Sequence, residues 1–294
     1  MTRTKNSNNF GGGGQGSQTP SPKEFKGKAG PWQSGPPPEN PPQNVTVGLI
    51  GGAGVMGQWF KRLFESQGLK VLVADLNTPL TSPEVARAAD LVILCVPIPE
   101  VAKVAREVAP HLKPDAALVD ITSVKQGPMA AMLAAFPGEV VGTHPLFGPG
   151  EESINGRTVV LCPGRGERWF NWLKNFLQQA GARVKVTTAR EHDRLMSVVQ
   201  GLAHFILIAL GTAIRELGVP VEELEDFATP TFATLHNLTR RLVNQDAKLY
   251  ACIQLQNPAN RVALRALEDA VADILHFIQR QNVDGLVRLI EQIR

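Results

Sequence analysis

The residue whose type and position most clearly suggest chemistry is His144, within residues 142–149, which read GTHPLFGP. It follows the apolar run 139–141 and directly precedes Pro145. A residue before proline is driven towards extended geometry, which predicts a strand tip at His144. An imidazole titrates near working pH, so His144 is a candidate general base. A histidine packed into a turn is the alternative, and the neighbouring motifs decide between the two.

A dinucleotide-binding motif lies upstream of this histidine. The apolar run 45–50 leads into Gly52-x-Gly54-x-x-Gly57, and an amphipathic helical pattern follows, with Gly68 as its expected stop. Gly52 is expected to form the tight turn, Gly54 to admit a pyrophosphate, and Gly57 to let the helix pack closely on the strand. The amino terminus of that helix would face the phosphates.

Asp75 predicts which dinucleotide is bound. It ends a second apolar run, 71–74, about twenty residues after the glycines, where a carboxylate takes the ribose hydroxyls. No Arg or Lys occurs between Asp75 and Arg87, so no nearby cation would accept a 2′-phosphate. The sequence therefore favours NAD over NADP.

The remaining elements predict an α/β fold with a second, all-α domain. Short apolar runs alternate with helical stretches up to Thr188, which favours a doubly wound, parallel Rossmann sheet over residues 45–188. Thr188 and Glu191 have capping-box spacing and open a long helical pattern to about residue 217. Residues 189–294 are predicted to be helical throughout. The predicted strands after the first two are 91–96, 117–121, 140–143, 158–162 and 183–186.

Within the long helix, residues 195–210 are very apolar but short for a membrane span, and they include Gln200 and His204. A buried helix at a subunit interface is the prediction there. The cysteines, at positions 95, 162 and 252, lack metal-ligand spacing. They are interpreted as reduced core residues of a cytoplasmic protein without a metal site.

Residues 1–44 differ in composition from the rest of the chain. They hold eight Gly and eight Pro and no Val, Ile or Leu, which predicts a disordered tail that does not resemble a secretory signal. The tail carries five basic and two acidic residues, a surplus equal to the chain's net charge of +3. The folded part is thus balanced, and its charge gives no indication of nucleic-acid binding.

Several separated motifs together resemble the prephenate dehydrogenase family, the oxidoreductases of tyrosine biosynthesis. The resemblance covers residues 45–250 and is nearest to the dehydrogenase part of the type fused to a chorismate mutase. A tail of 44 residues is not expected to form a helical mutase, and no regulatory domain is expected after the helices. The motifs are GGAGVMG at 51–57, CVPI at 95–98, DITSVK at 120–125, residues 142–149, EHD at 191–193, QGLAHF at 200–205, and QD at 245–246 before LY at 249–250.

The resemblance implies NAD-dependent oxidative decarboxylation of prephenate by a cytoplasmic homodimer joined through its helical domain. His144 and Ser123 would be catalytic, although Ser123 would equally suit the N-cap of a helix over 124–132. His192, His204 and Lys125 would contact substrate. The expected cofactor contacts are Gly52, Gly54, Val55, Met56, Gly57, Asp75, Val96 and Pro97.

Arg241 is the candidate clamp for the substrate carboxylate, because a guanidinium binds a carboxylate with two hydrogen bonds. With ~3.6 residues per helical turn, Arg241 lies beside the stripe formed by Leu235, Leu238 and Leu242, whereas Arg240 points away. This periodicity predicts a semi-buried position for Arg241, and the resemblance selects the same arginine.

Two departures from the family pattern flank the expected substrate site. Ala233 stands where the family segment has an arginine, and Gly150 replaces an acidic residue, with Glu151 and Glu152 following. Either glutamate could contact the ammonium group of arogenate, so arogenate remains an alternative substrate, and feedback by tyrosine is left open.

Two further classes of protein are considered. Other dehydrogenases with a helical second domain, such as those acting on 3-hydroxy acids, usually carry a catalytic lysine on the long helix. Residues 191–217 contain no lysine. A nucleotide-binding sensor without turnover would not need His144, Ser123 and Arg241, so an enzyme is favoured.

Overall fold

The computed structural model describes residues 44–293, so the predicted disordered tail, apart from Asn44, lies outside the described residues. The described residues form one sheet in the order β2-β1-β3-β4-β5-β6-β7. The strands are β1 Thr46–Ile50, β2 Lys70–Ala74, β3 Leu91–Leu94, β4 Ala117–Asp120, β5 Glu139–Pro145, β6 Thr158–Arg165 and β7 Arg183–Val186.

The sheet is parallel from β2 to β5, and the predicted doubly wound Rossmann architecture is confirmed there. The expectation of a wholly parallel sheet is wrong at one edge. Strand β6 runs antiparallel to β5, and β7 is parallel to β6. No helix separates β5 from β6 along the chain, so the chain reverses through a loop and pairs antiparallel, as strands without a crossover do.

Helices cover both faces of this sheet, each with its own apolar core. Aromatic side chains of α1 and α5, such as Phe64 and Trp169, pack on one face. Small and aliphatic side chains of α2, α3 and α4, such as Ala105 and Met132, pack on the other. These helices are α1 Val55–Ser66, α2 Ser82–Ala88, α3 Val101–Val108, α4 Gln126–Ala135 and α5 Arg168–Gln179, with short 3-10 turns at Ile98–Glu100 and Ala109–His111.

The second domain is helical, as predicted. The Thr188 hydroxyl accepts a hydrogen bond from the Glu191 amide at 3.1 Å, and the helix it caps continues to Leu217. A π-helical segment, Ser197–Leu202, interrupts it. The helices are α6 Ala189–Met196, α7 Ala203–Leu217, α8 Val221–Asp226, α9 Pro230–Val243, α10 Ala247–Gln256, α11 Asn260–Gln279 and α12 Val283–Glu291.

Residues 195–210 lie in a helix but are largely exposed in the single chain, so burial of this helix at a subunit interface stays a prediction. Val198, Val199, Phe205 and Ile206 are exposed. The continuous helix Ala189–Leu217 is long and apolar enough to cross a membrane by length and composition, and only 11% of its most apolar window is buried. One such helix is weak support for a span, because an apolar helix face also suits contact with another protein subunit.

The helical domain docks on the carboxyl edge of the sheet. Ile253 of α10 packs against Ile98 and Val124, which follow β3 and β4. The Asn257 side-chain amide donates to the Asp193 carbonyl oxygen at 2.8 Å, which joins the end of α10 to α6. These contacts bring α6 and α10 to the strand ends that carry the predicted site residues.

Candidate active site

The glycine loop follows β1 and lies at the edge of the sheet between the neighbouring strands β1 and β3. The strand order reverses at this point, which is where α/β sheets bind ligands. The positive φ of its turn, 77°, falls on Gly51, not on Gly52 as expected. A Cβ on Gly51 would come within 2.7 Å of the Cys95 carbonyl oxygen and 2.9 Å of the Val96 side chain. Gly52 is instead required by space, since its Cβ would lie 2.8 Å from Leu49 and Val73.

The start of α1 has the features of an anion site. The backbone amides of Val55, Met56 and Gly57 lie in its first turn, where the helix offers them no carbonyl acceptor. No acidic residue lies in that turn. A Cβ on Gly57 would lie 2.6 Å from the Gly52 Cα, so only glycine allows this close approach of helix and loop. These residues therefore fit a bound pyrophosphate.

Asp75 lies beside this loop, directly after β2. Its carboxylate accepts hydrogen bonds from the Ala53 amide at 3.0 Å and from the Leu76 amide at 2.8 Å. The side chain is only partly buried, and a carboxylate has acceptor sites beyond these two. Val96 and Pro97 follow β3 at the same edge, because this strand ends at Leu94 and not at Val96 as predicted.

His144 lies near the end of β5, paired with Val160 of β6, and is only 2% exposed. Its Nδ1 atom lies 2.8 Å from Nε2 of His192, and the two rings meet edge to face with centroids 5.0 Å apart. His192 is itself 1% exposed, at the start of α6. His192 thus contacts the predicted base directly, a contact that the sequence did not indicate.

Asp193 continues this chain of contacts. Its Oδ1 atom lies 2.8 Å from His192 Nδ1 and accepts from the Lys125 amide, while Oδ2 accepts from the Gln126 amide. Helix α4 begins at Gln126, so a carboxylate from α6 caps its amino terminus. The alternative reading of Ser123 as the N-cap is wrong, because the helix starts at Gln126, two residues later than that reading requires.

Ser123 lies beyond the end of β4, which neighbours β5, so it shares the carboxyl edge of the sheet with His144. Its side chain is partly buried, and its hydroxyl makes no hydrogen bond to any residue in the described range 44–293. That hydroxyl is available to a ligand.

Burial lowers the pKa of both histidines. For His144, burial is the largest cause, and the His192 ring and the Lys125 ammonium add to it, so its pKa lies well below 6.5. Burial also lowers the pKa of His192, although the hydrogen bond to Asp193 opposes the shift. Both rings are therefore neutral at neutral pH, and a neutral imidazole can accept a proton.

A buried ion pair lies close to these two histidines. The Lys125 ammonium bonds the Asp120 carboxylate, and both side chains are fully buried. Thr122 donates to the same carboxylate oxygen through its hydroxyl and its amide, whereas Asp120 Oδ1 has no partner in the described chain. Lys125 was expected to contact substrate, but this placement gives its ammonium an internal partner instead.

The other predicted substrate residues form a second group in the helical domain. The His204 and Tyr250 rings meet edge to face with centroids 4.6 Å apart. Burial raises the pKa of Tyr250, and the charge of Arg241 opposes that rise. Arg241 is exposed on α9, not semi-buried as predicted from the leucine stripe. That stripe is itself half open, with Leu238 43% exposed.

The π-helical segment affects how the two groups face each other. His192 and His204 are twelve residues apart on one continuous helix. In an uninterrupted α-helix they would point about 120° apart, whereas one residue accommodated by a π turn reduces the angle to about 20°. The segment thus turns both histidines towards one side of the helix. His204 Nδ1 is buried without a partner among residues 44–293.

Sequence reasoning missed the residues that position His192 against His144. These are Asp193, which contacts His192, and Lys125, whose backbone amide donates to Asp193. The available indication was the EHD motif three residues after a capping threonine. A cap fixes the first turn of a helix, and the adjacent His192 and Asp193 then project together from that turn towards the strand ends.

Comparison with known families identifies both domains. The family model described as "Prephenate dehydrogenase, nucleotide-binding domain" matches residues 62–186. The model described as "Prephenate dehydrogenase, dimerization domain" matches residues 188–292. Together they span most of the described chain, and their boundary agrees with the change from alternating strands to helices.

Curated relatives cover most of this chain. A probable arogenate/prephenate dehydrogenase of Methanocaldococcus jannaschii is 34% identical over 85% of this chain. The T-protein of Haemophilus influenzae is 30% identical over 84% of it. The chain spans 60% and 65% of the lengths of these two relatives.

Among solved structures, prephenate dehydrogenase from A. aeolicus, in complex with hydroxyphenyl propionate and NAD+, has a TM-score of 0.72. It is 21% identical, and the alignment covers 85% of this chain and 96% of that one. At this identity the likeness establishes a shared fold.

Proposed function

The chain belongs to the prephenate dehydrogenase family, and on that premise we propose that it catalyses NAD-dependent oxidative decarboxylation of prephenate to 4-hydroxyphenylpyruvate. The observation that carries the proposal is the environment of His144. Its Nδ1 atom is bonded to His192, and its Nε2 atom makes no hydrogen bond to any described residue. One ring nitrogen is thus held in place while the other is free for a substrate hydroxyl.

The reaction needs a proton acceptor at the ring hydroxyl of prephenate. His144 Nε2 takes that proton as the hydroxyl carbon becomes a carbonyl. A neutral imidazole is the competent form, and burial keeps His144 in that form. The Ser123 hydroxyl, free at the same edge of the sheet, donates to the substrate oxygen and orients it. Loss of the ring carboxylate as carbon dioxide then gives the phenol.

NAD, when bound, would supply the acceptor for the hydride that leaves the hydroxyl carbon. The amides of Val55, Met56 and Gly57 would hold its pyrophosphate, and Asp75 its adenine-side ribose hydroxyls. Val96 and Pro97, beside the loop on the neighbouring strand end, would line the path of the dinucleotide. The space that Gly51 and Gly57 leave supports this fit.

The substrate carboxylate would be held from the helical domain. Arg241 supplies the guanidinium, and His204, with its unpartnered buried nitrogen, supplies a further polar contact. Lys125 acts indirectly, as a buried cation whose ion pair with Asp120 supports the strand ends.

Arogenate is the alternative substrate, and one observation bears on the choice. Of the two glutamates that could meet its ammonium group, Glu151 already pairs with Arg157 at 2.7 Å, and its carbonyl oxygen accepts from Trp59. Only Glu152 is left exposed for that role. This arrangement favours prephenate, which carries a keto group at that position.

The proposal includes a homodimer formed through the helical domain. The match to a dimerization-domain model and the exposed apolar face of residues 198–208 both support it. A partner subunit would cover the surface that is open in the single chain. The proposal also places the enzyme in the cytoplasm, which its three free cysteines support.

The direct test is NADH formation by the purified full-length chain from prephenate and from arogenate, each with NAD and with NADP. The proposal expects turnover of prephenate with NAD at least tenfold more efficient than the other three combinations. If neither prephenate nor arogenate were turned over, the proposed function would be refuted. Preference for arogenate would keep the reaction class and correct the substrate.

The cofactor assignment gives a prediction for Asp75. In the unmodified protein, repulsion between Asp75 and the 2′-phosphate should make kcat/KM for NADP much lower than for NAD. The double variant Asp75→Ser with Leu76→Arg should narrow this gap, because it removes the repulsion and supplies a cation. Steady-state kinetics with both cofactors measure this. Equal efficiency with both cofactors in the parent would show that Asp75 does not select the cofactor.

The clamp assignment gives a prediction for Arg241. Replacing it by Gln leaves the carboxylate of the bound substrate without its charged partner, which costs ~2–5 kcal/mol once the substrate excludes water from the pair. KM for prephenate should rise about 30-fold or more, and the dissociation constant for NAD should hardly change. The neighbouring Arg240→Gln is the matched control. Equal losses in both variants would mean that the substrate is held elsewhere.

A further inference from the structure

The contacts around Asp193 determine where the protons of this buried group lie. Both carboxylate oxygens accept hydrogen bonds from backbone amides, Oδ1 from Lys125 at 2.8 Å and Oδ2 from Gln126 at 2.9 Å. A backbone amide can only donate, so the Asp193 side chain acts as an acceptor at both oxygens. Its 2.8 Å contact with His192 therefore requires the proton to be on His192 Nδ1.

That proton determines the next one along the chain. A neutral imidazole with its proton on Nδ1 has an acceptor at Nε2. His192 Nε2 lies 2.8 Å from His144 Nδ1, so His144 must donate there and carry its own proton on Nδ1. The remaining nitrogen, His144 Nε2, then has a lone pair and no partner among residues 44–293.

We propose that Asp193 and His192 are positioning residues that hold His144 in the tautomer whose Nε2 atom can accept a proton. The inference rests on the proposed function, in which Nε2 takes the proton of the substrate hydroxyl. Without the acceptor at His192, nothing in the described site would prevent His144 from carrying its proton on Nε2. In that tautomer the ring would present a donor to the hydroxyl and could not act as a base.

The hydrogen-bonded chain from Asp193 through His192 to His144, here called the relay, is anchored in both domains. Asp193 is fixed by the first turn of α4 in the nucleotide-binding domain, and its carbonyl oxygen accepts from Asn257 at the end of α10. Asp193 and His192 are fully or almost fully buried, so water does not compete for these hydrogen bonds. Docking of the helical domain is thereby linked to the protonation pattern of a residue on the sheet.

Two substitutions at His192 separate the relay from simple packing. In His192→Gln the carboxamide can still donate to Asp193 and accept from His144, so the hydrogen-bond pattern is retained. His192→Phe keeps the ring but removes both hydrogen bonds. His111→Phe, on a 3-10 turn before β4, is the control for loss of a histidine elsewhere.

Two readouts are measured on the full chain. Nitrogen NMR of protein labelled in its histidines, with the His144 signals assigned by their loss in His144→Asn, reports which ring nitrogen carries the proton. Steady-state kinetics with prephenate and NAD report kcat and KM. We expect the proton on His144 Nδ1 in the parent and in His192→Gln. We expect kcat to fall ~100-fold in His192→Phe, with KM and NAD affinity unchanged, and to stay within ~10-fold of the parent in His192→Gln.

A proton on His144 Nε2 in the parent would overturn the inference. So would equal losses of kcat in His192→Gln and His192→Phe, which would indicate a role in packing, or unchanged kcat in His192→Phe. If the parent turned over neither prephenate nor arogenate, the proposed function would fail, and the NMR result alone would decide whether the relay exists.

Discussion

His144→Asn should lower kcat for prephenate oxidation by ~100-fold or more, the usual contribution of a general base. Asparagine can hydrogen-bond to the substrate hydroxyl, but it cannot accept the proton at neutral pH. The dissociation constant for NAD should be unchanged, because His144 lies near the end of β5 and the glycine loop follows β1. Stopped-flow and steady-state NADH absorbance give kcat, and fluorescence titration gives NAD affinity.

The matched control is His111→Asn, which alters a partly exposed histidine at the opposite edge of the sheet. It should keep parental kinetics. Turnover in His144→Asn within a few-fold of the parent would remove His144 from the mechanism. A parallel loss of NAD binding would indicate a disturbed fold instead of a missing base.

Lys125→Met should destabilise the protein by ~3–5 kcal/mol, since it leaves the buried Asp120 carboxylate without a counter-charge. One oxygen of that carboxylate already lacks a partner among the described residues, so the remaining hydrogen bonds from Thr122 cannot compensate. Urea unfolding at fixed protein concentration measures the loss of unfolding free energy. For a domain of this size the melting temperature should fall by about 6–20 °C.

Lys113→Met is the matched control, because Lys113 pairs with Asp90 at 2.7 Å near the surface. Water screens that pair, and its removal should cost ~0–1 kcal/mol. The double variant Lys125→Met with Asp120→Asn should recover part of the lost stability, since the uncompensated charge is gone. Equal destabilisation by the two single variants would show that the buried pair has no special cost.

The fold was largely predictable from the sequence because it depends on local patterns. The glycine motif, the alternation of apolar runs and the Thr188 cap each reflect the geometry of a few consecutive residues, and all were found where expected. The direction of β6 was not predictable in this way. Whether a strand runs parallel depends on the path of the preceding loop, which apolar periodicity does not encode.

The candidate site shows a similar division. The importance of His144 could be inferred from its position at a strand end, but its partner His192 is 48 residues away, and only the packing of α6 on the sheet brings the rings together. Arg241 was expected to be semi-buried because helical periodicity places it beside leucines. In the single chain those leucines are partly exposed, so periodicity identified an apolar face without showing what covers it.

The most direct test of the central claim is the pH dependence of kcat/KM for prephenate at saturating NAD. The proposed mechanism requires neutral His144, and burial, His192 and Lys125 hold the pKa of His144 well below 6.5. Protonation removes the base, so activity should be lost only as the pH falls through this lowered pKa. Because His144 and His192 share a hydrogen bond, and Asp193 and Asp120 lie nearby, the apparent pKa belongs to the pair. The proposed mechanism predicts that kcat/KM is flat at and above pH 6.5 and falls only at lower pH. An acid limb with its midpoint above pH 6.5 would contradict it.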